Sequence, residues 1–304
     1  MSIKLFLSTS LLLGRGRFRF LASSALLPLP LIHPFSFFRS VTFNLAQDPS
    51  SYNLGTTVWD ASIVFAKWLE KVRLLLFLSL PPSHTNPLIR PHTQRFPHQT
   101  NNKQTKTKKN SKKGELSRVK VKSKRCIELG AGMGLAGMAM ALCGADVVLT
   151  DTTEPVLTLL RRNVDANCTP IALRLKDAAW AAEVAGTITV AELDWANEEH
   201  YARLNPPFDY VIAADCVYSE TAVPHFLKAV LAMSGPRTLV AICNEFRSQT
   251  VHDLFIEEFM KHFTIRKVPM SKMHAEYSHP LIQIMLLKRL KREGGGGGGD
   301  KEKV

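Results

Sequence analysis

The sequence predicts an α/β fold with a mostly parallel, seven-stranded sheet, helices on both faces and an antiparallel hairpin at its C-terminal edge. From residue 125 onward, short apolar runs alternate with amphipathic segments, the pattern of strands and crossover helices in a parallel sheet. A glycine-rich turn, Gly130-Ala-Gly-Met-Gly134, directly follows the first of those runs. The last two runs, 263–268 and 281–288, have no helical segment between them, so they pair antiparallel.

Each element has a local reason. Asp60 is placed to cap a helix with Ala61, Val64, Phe65 and Trp68 on one face, running to about Lys71. Residues 125–129 read as a buried strand. Leu135, Met138, Ala139 and Leu142 form the next helix face, closed by Gly144. A second strand over 146–150 ends at Asp151. The helix over 154–167 carries Pro155 in its first turn, where a missing N–H costs nothing. A further helix is expected over 172–183, then strands over 187–193 and 209–214. A helix over 222–233, a strand over 238–243 and a helix over 248–262 lead into the closing pair. The run Gly294–Gly299 is a flexible linker or disordered end.

The net charge of +13 suggests nucleic acid until its location is examined. Residues 1–40 carry five Lys/Arg and no acid, and residues 72–125 carry fourteen Lys/Arg against Glu115 alone. Setting both segments aside leaves 20 basic residues against 25 acidic. The basicity lies outside the segments that read as folded, so no nucleic-acid partner is expected.

These composition shifts set the expected organisation. Residues 1–47 read as a disordered or targeting-like extension, 48–290 as the domain, and 291–304 as a disordered tail. Within the domain, residues 72–117 are Pro-, His- and Lys-rich text that cannot bury a core. Insertions of that length are rare inside a compact domain. Lys71-Val72-Arg73 can be encoded with the form of a splice donor, which points to retained intron sequence. No apolar run in residues 1–40 reaches the ~18 residues of a membrane span. Their basic, acid-free, Ser-rich character resembles an organelle transit peptide. Cys126, Cys143, Cys168, Cys216 and Cys243 show no CxxC and no His pairing at metal spacing, so no metal is expected. Reduced, buried thiols suit an intracellular protein. The expected setting is the cytoplasm, extending to the nucleus, with organelle import through residues 1–40 as the alternative and a monomer as the expected state.

The chemistry is carried by four motifs. Small residues at Gly130, Ala131 and Gly132 let a ligand approach the backbone at the end of a strand and meet amide groups at a helix start. Asp151, about twenty residues on, can accept both ribose hydroxyls of an adenosine-containing cofactor, and NAD and S-adenosylmethionine both fit. Trp195, just past the third strand, is placed to flank an adenine ring. Phe208 to Tyr218 then bring an acidic and aromatic pair, Asp215 and Tyr218, beside the cofactor's reactive end. No Ser-Tyr-Lys or His-Asp hydride-transfer grouping is visible there.

Together, Glu128-Leu-Gly-Ala-Gly-Met-Gly134, Asp194-Trp195, Asp215-Cys-Val-Tyr218 and the entry motif Val58-Trp-Asp60 resemble Rossmann-like class I methyltransferases, in particular the methyltransferase-like 21 group of protein-lysine methyltransferases. The likeness covers about residues 53–71 and 123–290. It implies S-adenosyl-L-methionine as cofactor, held by Trp59, Glu128, Gly130, Ala131, Gly132, Asp151, Trp195 and Ala214. It implies Asp215 and Tyr218 as the catalytic pair of an Asp-x-x-Tyr lysine channel, and a protein presenting a lysine as partner. The alternatives are a small-molecule methyltransferase or an inactive binding module on the same fold. The Asn/Asp-Pro-Pro-aromatic motif of nucleobase methyltransferases is lacking at 215–218.

Overall fold

The computed structural model describes residues 31–37, 41–51, 53–77, 118–169 and 185–291. The expected helix over 172–183 lies outside them, as do most of the 72–117 insertion and the glycine-rich tail. Among the described residues, no helix is long and apolar enough to cross a membrane.

Strands β1 (Leu31–Phe37) and β2 (Val41–Gln47) form an antiparallel hairpin. Helix α1 (Asp60–Phe77) follows, then α2 (Arg118–Val121), β3 (Arg125–Leu129), α3 (Leu135–Leu142), β4 (Asp146–Asp151), α4 (Glu154–Cys168) and β5 (Ile188–Glu192). The chain continues through α5 (Glu199–Arg203), β6 (Phe208–Ala214), α6 (Ala222–Met233), β7 (Ser234–Glu245), α7 (Gln249–Met260), β8 (Phe263–Lys267) and β9 (Ile282–Arg289). The main sheet has seven strands in the order β5-β4-β3-β6-β7-β9-β8; β9 runs antiparallel to both β7 and β8, and the other pairs are parallel. This is the expected α/β class, Rossmann-like with an antiparallel edge.

Strand β3 is buried on both faces, and its pleat sorts its side chains. Cys126 belongs to one apolar layer with Phe65 of α1, Leu142 of α3 and Leu160 of α4. Ile127 and Leu129 belong to the other, with Phe226 of α6 and Phe255 and Phe259 of α7. Each fully buried side chain of this size contributes about 1.5–3 kcal/mol relative to exposure. Helix α3 is buried along its whole length, which is why its sequence, LAGMAMAL, has no polar face.

The expected extension through residue 47 is corrected by the hairpin. Val41, Phe43 and Leu45 alternate along β2 and are fully buried, packed in the layer that holds α4. The outer edge of β2 is closed by two asparagines one helical turn apart. Asn163 Oδ1 accepts from Ala46 N at 2.8 Å and its Nδ2 donates to Ala46 O at 3.1 Å. Asn167 repeats the arrangement on Asn44, at 2.7 and 3.0 Å. The i, i+4 spacing of the helix thus matches the i, i+2 spacing of the strand, and a strand edge that would otherwise carry unpaired amides is satisfied. Helix α1 starts on Asp60 itself and runs past Lys71 to Phe77.

From β3 the chain passes outward to β4 and β5, then returns across β3 to β6. The carboxyl ends of β3 and β6 therefore lie at the switch point of the sheet, where open α/β sheets leave a crevice.

Candidate functional site

Four strand ends meet at that crevice. The glycine turn leaves β3, Asp151 ends β4, Asp215 follows β6 directly and Glu245 ends β7. Gly130, Gly132 and Gly134 have φ of +63°, +52° and +85°, the left-handed region where a side chain is strained. A Cβ on Gly130 would lie 2.8 Å from Cys216 Sγ and 3.1 Å from Trp195 Cζ2. A Cβ on Gly132 would lie 3.0 Å from the carbonyl oxygen of Gly55, in the short 3-10 segment before α1. The turn is thus clasped from two sides, and only bare backbone fits.

Asp151 organises this turn. Its Oδ2 accepts the N–H of Gly132 at 2.9 Å and its Oδ1 accepts the N–H of Thr152 at 2.9 Å. Burial raises its pKa, and those two N–H groups partly offset the rise. With one donor on each oxygen, each retains room for a further hydroxyl donor.

Trp195 packs against Gly130 and, at 5.0 Å between ring centres, against Phe226. Ala131 and Ala214 are buried at the strand ends. Glu128 faces elsewhere: it lies in the interior on the α3 side, where Oε2 accepts the N–H of Gly137 at 2.8 Å. Burial pushes its pKa up to about 8, against the opposing pull of that N–H.

Asp215 has φ +64°, a strained position that Asp tolerates better than most residues. Its side chain is only 3% exposed, and the guanidinium of Arg247 spans both its oxygens, Nη1 to Oδ1 and Nη2 to Oδ2, at 2.5 Å each. Arg247 Nη2 also lies 2.6 Å from Glu245 Oε2, and the guanidinium carbon sits 5.4 Å from the Trp59 ring centre. Trp59 Nε1 donates to Leu54 O at 2.9 Å, fixing the ring. Asp60 completes the group: burial, then Glu245 and Asp215, push its pKa up to about 7, with Arg247 pulling the other way. Tyr218 is 49% exposed beyond Asp215, and burial raises its pKa.

The structure therefore brings Gly130, Ala131, Gly132, Asp151, Trp195 and Ala214 to the carboxyl ends of β3, β4 and β6. Trp59 and Asp215 meet on Arg247, Tyr218 is exposed three residues past Asp215, and Glu128 lies in the interior on Gly137. Arg247 and Glu245 were not singled out by the sequence reading. Each is an ordinary charged residue past an apolar strand, and only the tertiary fold sets them against Asp215.

A family model described as lysine methyltransferase matches residues 38–262. The chain is 30% identical over 155 residues to the protein N-lysine methyltransferase METTL21A of Xenopus tropicalis, covering 51% of this chain and 64% of that protein. It is 32% identical over 155 residues to the protein of the same name from Danio rerio, with the same coverage of 51% and 64%. Against the EEF1A lysine methyltransferase 3 of Mus musculus it is 31% identical over 151 residues, covering 49% of this chain and 57% of that protein. The chain thus spans less than two thirds of the length of these relatives.

Proposed function

The chain belongs to the lysine methyltransferase family of class I S-adenosylmethionine-dependent enzymes, and from that membership we propose that it transfers a methyl group from S-adenosylmethionine to lysine side chains of another protein. The observation that carries the proposal is the alignment of the glycine turn, Asp151 and Asp215 along one crevice.

The residues fit an adenosyl group. Gly130 and Gly132 keep side chains out of the turn at the end of β3, where a Cβ would meet Cys216, Trp195 or the Gly55 carbonyl. Asp151, one strand over, has acceptor capacity left for two ribose hydroxyls. Trp195 offers an aromatic face beside Gly130 for the adenine. When bound, the cofactor supplies an electrophilic methyl on a sulfonium. The work left to the chain is alignment and exclusion of water.

A lysine amine has a reference pKa of about 10.4 and must lose a proton, released to solvent, before its lone pair attacks the methyl group and the thioether leaves. Asp215 attracts and orients the arriving ammonium, and Tyr218 lines its approach.

The test is to incubate the full chain with methyl-labelled cofactor and cell lysate, then hydrolyse the labelled protein to amino acids. Methylated lysine is the expected product. Label confined to other residues, to nucleic acid or to small molecules would overturn the proposal.

A further inference from the structure

The Asp215 carboxylate, assigned above to the substrate ammonium, already carries a cation. We infer that Arg247 is the gate of the lysine site: it holds Asp215 in the resting chain, and a substrate lysine takes its place there while Arg247 stays on Glu245. The inference rests on the proposed role of Asp215.

Access is the first argument. Asp215 is 3% exposed whereas Arg247 is 34% exposed, so the guanidinium lies between the carboxylate and solvent. The Asp215 oxygens are both engaged by that one side chain, with a longer contact from Glu245 N at 3.3 Å. An ammonium arriving from outside meets Arg247 before it meets Asp215.

The second argument is that Arg247 has somewhere to go. Its Nη2 already contacts Glu245, whose side chain is 25% exposed, and the Trp59 face is in cation–π range. Releasing Asp215 costs the fork-on-carboxylate geometry but leaves both other partners. Arg247 lies two residues past the end of β7 and before α7, so the side chain can swing without disturbing a strand or a helix.

Charge is the third argument. Two carboxylates, Asp215 and Glu245, contact one guanidinium at 2.5 and 2.6 Å. The cluster is short of positive charge. A lysine ammonium supplies it, as a point charge that needs only one carboxylate rather than a planar pair of acceptors.

The substitution R247K tests this, because it keeps the charge and loses the fork. The probe is Nα-acetyl-lysine methylamide, titrated by calorimetry into the full chain saturated with S-adenosylhomocysteine. R247K should bind it about tenfold more tightly than the parent chain, since a single contact replaces a bidentate one as the competitor. The Nε-acetylated probe, with no charge, should show no such gain. Equal or weaker binding by R247K, or no measurable binding by either protein, would overturn the inference. In the methylation assay kcat/KM should rise through a lower KM. A fall in kcat at unchanged KM would make Arg247 a positioning group for Asp215 and would also overturn it. If R247K melts early, R247M, which removes the competing charge, is expected to show the same tightening. Tightening of the probe without label on any lysine would fault the proposed reaction and leave the gate standing.

Discussion

The N–H of Gly132 donates to Asp151 Oδ2 at 2.9 Å, tying the glycine turn after β3 to the carboxylate that ends β4. This bond makes the turn and the proposed ribose acceptor one rigid unit. The substitution D151N keeps the shape, but one of its two acceptors becomes a donor facing an N–H, and the charge is lost. S-adenosylhomocysteine affinity is expected to fall at least about tenfold, the scale of losing a charge-assisted hydrogen bond. Calorimetry checks it; unchanged affinity would remove Asp151 from the cofactor site.

Gly132→Ala places a Cβ 3.0 Å from Gly55 O, on backbone at φ +52°. The strain, about 1–3 kcal/mol, should lower both the melting temperature and cofactor affinity. A gain in stability would show that the turn is not held as described.

Asp215→Asn should reduce methyl transfer at least about 100-fold while S-adenosylhomocysteine binding stays measurable by calorimetry. Equal loss of both would place Asp215 in the cofactor site instead.

Much of this site was legible in the sequence, and the reason is local. Glycines at the end of an apolar run, and a carboxylate at the end of the next, follow from strand periodicity and chain spacing alone. The helical period gave α6 its observed bounds, Ala222–Met233. What was not legible depends on distant partners. The alternation of Val41, Phe43 and Leu45 was present, but Pro34 and the basic, acid-free text upstream masked it. Only the asparagines of α4, more than a hundred residues away, show why β2 has a place to dock. Arg247 was hidden in the same way, since its role is defined by Asp215, thirty-two residues earlier.

Asn163 makes that docking testable. Its side chain is buried and serves both backbone groups of Ala46. Asn163→Ala leaves those groups unpaired in the interior, which costs about 1–3 kcal/mol for each unsatisfied group. A lower melting temperature is expected, with faster hydrogen exchange in β2. No change in either would mean the hairpin does not depend on this clamp.

Glu128 sets a pH dependence. Burial lifts its folded pKa to about 8 from the ordinary carboxylate value of 4.5, so the folded chain binds a proton more tightly than the unfolded chain between those values. Its contribution to stability is therefore present in acid and is lost as pH rises from about 4.5 to 8. In E128Q the decline of melting temperature across that window should flatten. A slope identical to that of the parent chain would show that Glu128 does not titrate there.

The most direct measurement of the central claim is calorimetric titration of the purified full chain with S-adenosylhomocysteine, with NAD titrated alongside. The account predicts binding of S-adenosylhomocysteine that weakens in D151N, and no binding of NAD. Binding of NAD with none of S-adenosylhomocysteine would contradict it.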